Sequence, residues 1–207
     1  SGGRIIRSEK SAVYTTPAFA GVTGQVEYSA KNNNGAYTSN DIGLLGLAAN
    51  YNNGPVNVTY YNGKASAGSV TAAGTGSAFG TVAANSLDPA HSVTWNILGA
   101  NYTMGATTVY YGATTGKSTG LATNFDASSN NVAVKYAVNG NLAVMANVTR
   151  VNNKVGTTDP KSTGLGADYS LSKRTTAYLR YEKYDTDTGS ATAGNGKMTA
   201  VGFRHTF

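Results

Sequence analysis

The chain has 207 residues, room for one large β domain or two small ones, and carries a formal net charge of +6 with an isoelectric point near 9.4. Hydrophobic residues make up 40% of it but charged residues only 13%, about half the usual share for a soluble domain, and no apolar run approaches the roughly 18 residues of a membrane-spanning helix. A helical membrane protein is thereby excluded. The 16 Lys and Arg residues are scattered singly, which argues against nucleic acid as a partner, and the absence of cysteine excludes a disulfide framework and thiolate metal sites. What remains abundant is Gly (26), Tyr (14) and small hydroxyl residues, a composition suited to close-packed strands.

In chain order, Lys10 to Phe19 reads as a strand ended by Thr16-Pro17, because proline cannot donate to a ladder. Val22, Val26 and Tyr28 then alternate with Thr23, Gln25 and Glu27, before a polar loop over Lys31 to Asn40. A strand over Ile42 to Tyr51 ends at Asn52-Asn53-Gly54, a hairpin signal, and Val56, Val58 and Tyr60 alternate with Asn57, Thr59 and Tyr61. Asn62 to Ser92 shows no convincing periodicity and reads as a long loop. Leu98, Ala100 and Tyr102 lead to a tight turn at Met104-Gly105 and on to Val109, Tyr111 and Ala113. A second polar loop reaches Ser129. Val132, Val134, Tyr136 and Val138 turn at Asn139-Gly140 into Leu142, Val144, Ala146 and Val148. After a loop over Val151 to Lys161, Leu165, Ala167 and Tyr169 turn at Leu171-Ser172-Lys173 into Ala177, Leu179 and Tyr181. A last loop, Asp185 to Asn195, delivers the closing strand Lys197 to Phe207. The pattern predicts about eleven strands of roughly ten residues.

Every second connection is tight and the others are long and polar. A soluble sandwich gains nothing from that asymmetry, whereas a transmembrane barrel has short periplasmic turns and long outer loops. Charge placement agrees. A cation on the lipid face costs about 2–4 kcal/mol at the midplane, and the mid-strand charges Glu27, Lys135, Asp168, Arg180, Glu182 and Arg204 all take the polar parity. Tyr28, Tyr102, Tyr111, Tyr136 and Tyr169 take the apolar one, as interfacial aromatic girdles would. The expected fold is therefore all-β, an antiparallel transmembrane β-barrel. An odd number of antiparallel strands closes only with one parallel pair, which is rare, so the chain is expected to be part of a longer barrel.

Three stretches carry a family resemblance: RSEKSAVYTTPAF from Arg7 to Phe19, SLSKRTTAYLRYEKYD from Ser170 to Asp185, and VGFRHTF from Val201 to Phe207. With them the chain resembles the C-terminal two-thirds of a trimeric general-diffusion porin of the Gram-negative outer membrane. That resemblance implies a sixteen-stranded barrel, three to an assembly, with an inward-folded third loop narrowing each pore. Residues 1–207 would then form a single barrel domain incomplete at its N-terminus. Residues 1–9 would be the end of the constriction loop and residues 10–207 strands six to sixteen. The resemblance also makes Arg7 a constriction arginine, with Arg4 close by, and makes the terminal aromatics Phe203 and Phe207 the signal read by the outer-membrane insertion machinery.

The chemistry expected is that of a pore. Arg and Lys rings favour anions, and arginine keeps its charge at any working pH. Arg4, Arg7, Lys135, Arg180 and Arg204, with Tyr178, are the candidate cationic and polar lining, opposed by Glu27, Asp168 and Glu182. Arg180, Glu182 and Arg204 can alternatively pair across the wall as structural struts. No nucleophile, cofactor site or metal site stands out: the two histidines, His91 and His205, lie in unrelated places, nothing orients a serine beside Asp88 and His91, and the Asp185–Gly189 loop lacks the chelating Glu of a calcium loop. The expected function is passive diffusion of small hydrophilic solutes and ions with a modest anion preference, by a non-enzymatic homotrimer embedded in outer-membrane lipid. The alternative is an outer-membrane barrel whose extracellular loops are adhesive or enzymatic.

Overall fold

The computed structural model describes residues 11–30, 42–67, 92–119, 124–156, 158–186 and 195–207. Within them eleven strands form one sheet in sequence order: β1 (Ser11–Thr15), β2 (Val22–Ser29), β3 (Ile42–Asn53), β4 (Val56–Ala67), β5 (Ser92–Met104), β6 (Thr107–Thr119), β7 (Asp126–Ala137), β8 (Leu142–Asn153), β9 (Lys161–Ser170), β10 (Thr175–Asp185) and β11 (Gly196–His205). Among the described residues there is no helix, and the sheet order ends at β1 and β11 without joining them.

The strand count agrees with the sequence pattern, but several strands run further than hydrophobic alternation reaches. The β3–β4 and β5–β6 turns fall on Gly54-Pro55 and Gly105-Ala106, with the glycines at φ 56° and 58°. Only the first turn residue takes positive φ, as a Gly-X hairpin of type II′ requires, and Pro55 could not do so. The turn thus sits one residue later than the Asn-Asn-Gly signal suggests.

The chain packs as two compact units. The first comprises Ser1–Tyr51, Thr59–Ile97 and Thr115–Asp126. In it β1 and β2 pair antiparallel with Val13 opposite Glu27, and β2 and β3 with Glu27 opposite Gly46. Its core is small: Leu44, Ala65 and Trp95 are buried, and Tyr61 and Val93 pack on them. The Tyr61 and Trp95 rings stack 6.3 Å apart. β4 and β5 extend through polar, glycine-rich sequence because side chains bridge them: Tyr60 and Asn62 both donate to Asn96 Oδ1, at 2.9 and 2.7 Å. β6 and β7 are likewise prolonged, as the Phe125 amide donates to Ser118 Oγ at 2.8 Å and Lys117 pairs with Asp126 at 3.8 Å. No apolar periodicity marks these ends, because ladder and side-chain hydrogen bonds hold them together with a few buried residues, Ala65 and Trp95 among them.

The second unit comprises Asn52–Val58, Leu98–Thr114 and Ala127–Phe207. β7 to β11 form an uninterrupted antiparallel run. Two tight turns are built by side chains: Asn139 Oδ1 accepts the amides of Asn141 and Leu142, and Ser172 Oγ accepts those of Arg174 and Thr175. These are the Asx and Ser/Thr turns that polar residues favour between strands. Alternation splits the run into two faces. One carries Val132, Val134, Tyr136, Val148, Leu165, Tyr169, Leu179, Val201 and Phe203, all substantially exposed. Apolar surface this extensive on regular strands marks a face that meets a membrane or another protein.

Candidate pore-lining site

The opposite face of the second unit holds the candidate residues, and register places them in rows. Lys135 on β7 stands opposite Met145 on β8, Met145 opposite Gly166 on β9, Gly166 opposite Arg180 on β10, and Arg180 opposite Ala200 on β11. One residue pair along, Ala143, Asp168, Tyr178 and Gly202 make the next row. Glu182 lies between Gly164 and Met198 on the far side, and Arg204 opposite Thr176. The row of small partners beside each long side chain is what lets cation, anion and aromatic lie flat along one wall. A Cβ on Gly202 would stand 2.6 Å from the Tyr178 hydroxyl, and one on Gly166 3.0 Å from Arg180 Cδ.

Arg180 is the most constrained of the set. Its Nη2 lies 2.6 Å from Asp168 Oδ1, its Nη1 donates to the carbonyls of Ala167 and Leu179 at 2.9 Å, and its guanidinium sits 5.5 Å from the Tyr178 ring centre. The Arg180 and Asp168 side chains retain 34% and 19% of their exposure. A half-buried, charge-assisted pair of this length fixes both groups and nearly cancels their charge. Of the proposed struts, therefore, Arg180 does pair across the wall, with Asp168 and not with Glu182. Lys135 and Arg204 are exposed, Glu182 is half-buried, and none of the three makes an ion pair among the described residues. Three cations, Lys135, Arg180 and Arg204, against two carboxylates, Asp168 and Glu182, leave this face of the unit with a net charge of +1.

Glu27 belongs to the first unit, half-buried between Val13 and Gly46. Arg4, Arg7, Asp88, His91 and the Asp187–Gly189 part of the last loop lie outside the described residues. At the chain end the Thr175 hydroxyl and His205 Nδ1 share a hydrogen bond of 2.9 Å, the His205 and Phe207 rings meet edge to face at 4.9 Å, and the Phe207 side chain is fully exposed. Among the described residues no group of three or more His, Asp or Glu is placed to hold a metal ion.

Two features of this wall were not read from the sequence. One is the set of small partners Gly164, Gly166, Ala200 and Gly202, whose role depends on register. The other is on the apolar parity. Arg150, Lys161, Lys183 and Lys197 take the same face as Val148, Leu165, Leu179 and Val201, but at the strand ends remote from the tight turns. Counting by twos from Leu165 to Lys161 was the available signal.

A model of the Gram-negative porin family matches residues 1–189. The chain belongs to that family. As a Gram-negative porin it is an integral protein of the outer membrane. No curated protein matches its sequence. Among solved structures it is similar to an anion-selective porin from Comamonas acidovorans, with a TM-score of 0.75 and 19% identity over 97% of this chain and 60% of that one. It is also similar to OmpT, an outer membrane protein of Vibrio cholerae. The in-vitro folded protein gives a TM-score of 0.65 at 15% identity over 94% of this chain and 63% of that one, and its trimer form 0.60 at 13% over 93% and 61%. At such identities the likeness is one of fold. The porin chain thus spans about three fifths of the length of these neighbours.

Proposed function

We propose that this chain forms much of the wall of a water-filled channel for passive diffusion of small hydrophilic solutes and ions, with a modest preference for anions, and that the assembled protein is a channel and not an enzyme. The observation that carries the reading is the division of the strands into an exposed apolar face and a polar face bearing Lys135, Arg180 and Arg204 against Asp168 and Glu182. In this reading the Arg180–Asp168 pair shapes the lumen without biasing it, while Lys135 and Arg204 present uncompensated charge to the water column and Glu182 moderates it. Tyr178 in the second unit and Glu27 in the first are each assigned a lining role through their polar parity. Arg4 and Arg7 are constriction cations through the family resemblance, and Phe203 and Phe207 the assembly signal. The printed description of the Comamonas acidovorans neighbour as anion-selective supports the direction of the preference, and the trimer form of OmpT supports a homotrimer.

The test is conductance of the purified full-length protein in a planar bilayer under a salt gradient. Discrete steps with a reversal potential of anion-selective sign are expected. Absence of steps overturns the channel, and a cation-directed potential overturns the selectivity.

A further inference from the structure

The polar face of β10 and β11 carries aromatic surface as well as charge. On β10 it reads Tyr178, Arg180, Glu182 and Tyr184, and opposite them on β11 stand Gly202, Ala200, Met198 and Gly196. Each tyrosine leans across to the glycine it faces: a Cβ on Gly202 would meet the hydroxyl and ring of Tyr178, and one on Gly196 those of Tyr184. Two aromatic rings therefore lie along one wall, six residues apart on one strand, which at about 3.3 Å per residue is about 20 Å. Tyr178 is half-buried, Tyr184 is exposed, and between them Met198 adds exposed apolar surface. Charge on this stretch is balanced. Arg180 is held by Asp168 at 2.6 Å. Arg204, two residues beyond Gly202, is exposed, Glu182 between the tyrosines is half-buried, and neither has an ion pair among the described residues. The cations Arg180 and Arg204 offset the carboxylates Asp168 and Glu182, so an ion of either sign gains no net attraction here. A hydroxyl group uses both unpaired charges, because it donates to a carboxylate and accepts from a guanidinium.

We propose that Tyr178, Glu182, Tyr184, Met198 and Arg204 form a saturable binding track for neutral sugars on the channel wall. A pyranose presents C–H groups on its ring faces and hydroxyls around its rim. Aromatic surface flanked by one hydrogen-bond acceptor and one cluster of donors matches that division. Each tyrosine takes the apolar face of a ring, while Glu182 and Arg204 take hydroxyls. The spacing favours a short oligosaccharide over a monosaccharide, because a chain that bridges about 20 Å touches both tyrosines at once. Several weak contacts in a row also let the solute leave again, as a channel requires.

The inference rests on the channel reading and deepens it by assigning a solute class to one wall. It is tested on the purified full-length protein by titrating maltopentaose into planar bilayers, with isothermal titration calorimetry in micelles on the same sample. Polyethylene glycol of matched mass serves as a flexible chain with neither ring faces nor a rim of hydroxyls. Maltopentaose is expected to block the ion current saturably and to bind about tenfold or more tightly than the polyether. Tyr184→Ala should weaken that binding roughly two- to tenfold, whereas Tyr184→Phe, which keeps the ring, should preserve it. Tyr181→Ala, on the opposite face of the same strand, should also preserve it. Equal affinity for the two solutes overturns the track, as does a current that conducts normally but shows no saturable block and no heat of binding. Unchanged affinity in Tyr184→Ala overturns it too. Saturable heat of binding in a protein that does not conduct leaves the track standing and strikes instead at the channel reading.

Discussion

Replacing Asp168 by Asn alters charge while moving few atoms, and so isolates what the Arg180–Asp168 pair does. In the wild type the two groups are 2.6 Å apart and nearly cancel. The amide keeps the shape and leaves Arg180 uncompensated. A unit charge acting across about 6 Å of water is worth about 0.7 kcal/mol, which screening in about 0.1 M salt reduces to about 0.4 kcal/mol. Anions are favoured and cations disfavoured by that amount, so their permeability ratio should shift toward anions by roughly three- to fourfold. Stability should fall by about 1.5–3 kcal/mol, the worth of a hydrogen bond to a charged group, and less than the loss on breaking a fully buried pair because both side chains keep some solvent. Reversal potentials in a salt gradient read the first effect and urea unfolding in micelles the second. Arg204→Gln should move the potential the opposite way, and the double variant should return close to the wild type. A potential unchanged by Asp168→Asn but moved by Arg204→Gln would show that Arg180 does not face the permeating ions, and would refute the assignment.

Other variants probe the two faces and the chain end. Leu179→Lys puts a cation on the lipid parity at mid-strand and should destabilise the folded protein by about 2–4 kcal/mol, whereas Met198→Lys, on the polar face opposite Glu182, should unfold near the wild-type urea concentration and raise anion preference. Gly202→Val forces Tyr178 off the wall, since even a Cβ would meet its hydroxyl at 2.6 Å, and should cost about 1–3 kcal/mol by overpacking, seen in the same unfolding measurement. Phe207→Ala removes a fully exposed side chain, so urea stability should hardly change while the amount recovered in outer membranes falls severalfold; equal recovery would remove Phe207 from any assembly role.

Alternation alone determined much of this protein. Val132 to Val138, Leu142 to Val148 and Lys197 to Phe207 declare strands with one greasy and one wet face, and the tight signals at Asn139-Gly140 and Leu171 to Lys173 mark where they reverse. The reason is local: a strand's side chains must alternate whatever it pairs with. Strand ends were less legible. β4 and β6 continue through Gly, Ala, Ser and Thr because hydrogen bonds such as Asn62 to Asn96 hold them, and hydrogen bonding leaves no hydrophobic period behind. The partners of the charges were not legible at all. Parity put Asp168, Arg180, Glu182 and Arg204 on one face, but only the register of β9, β10 and β11 decides that Arg180, opposite Gly166, reaches diagonally to Asp168 while Arg204 has no ion-pair partner among the described residues. Register also decides that Arg150 faces Lys161 and Lys183 faces Lys197. A sequence states which face a residue takes, since that depends on its own strand. Which neighbour it meets depends on how two strands are aligned, and that is set by turns and packing remote from the residue itself.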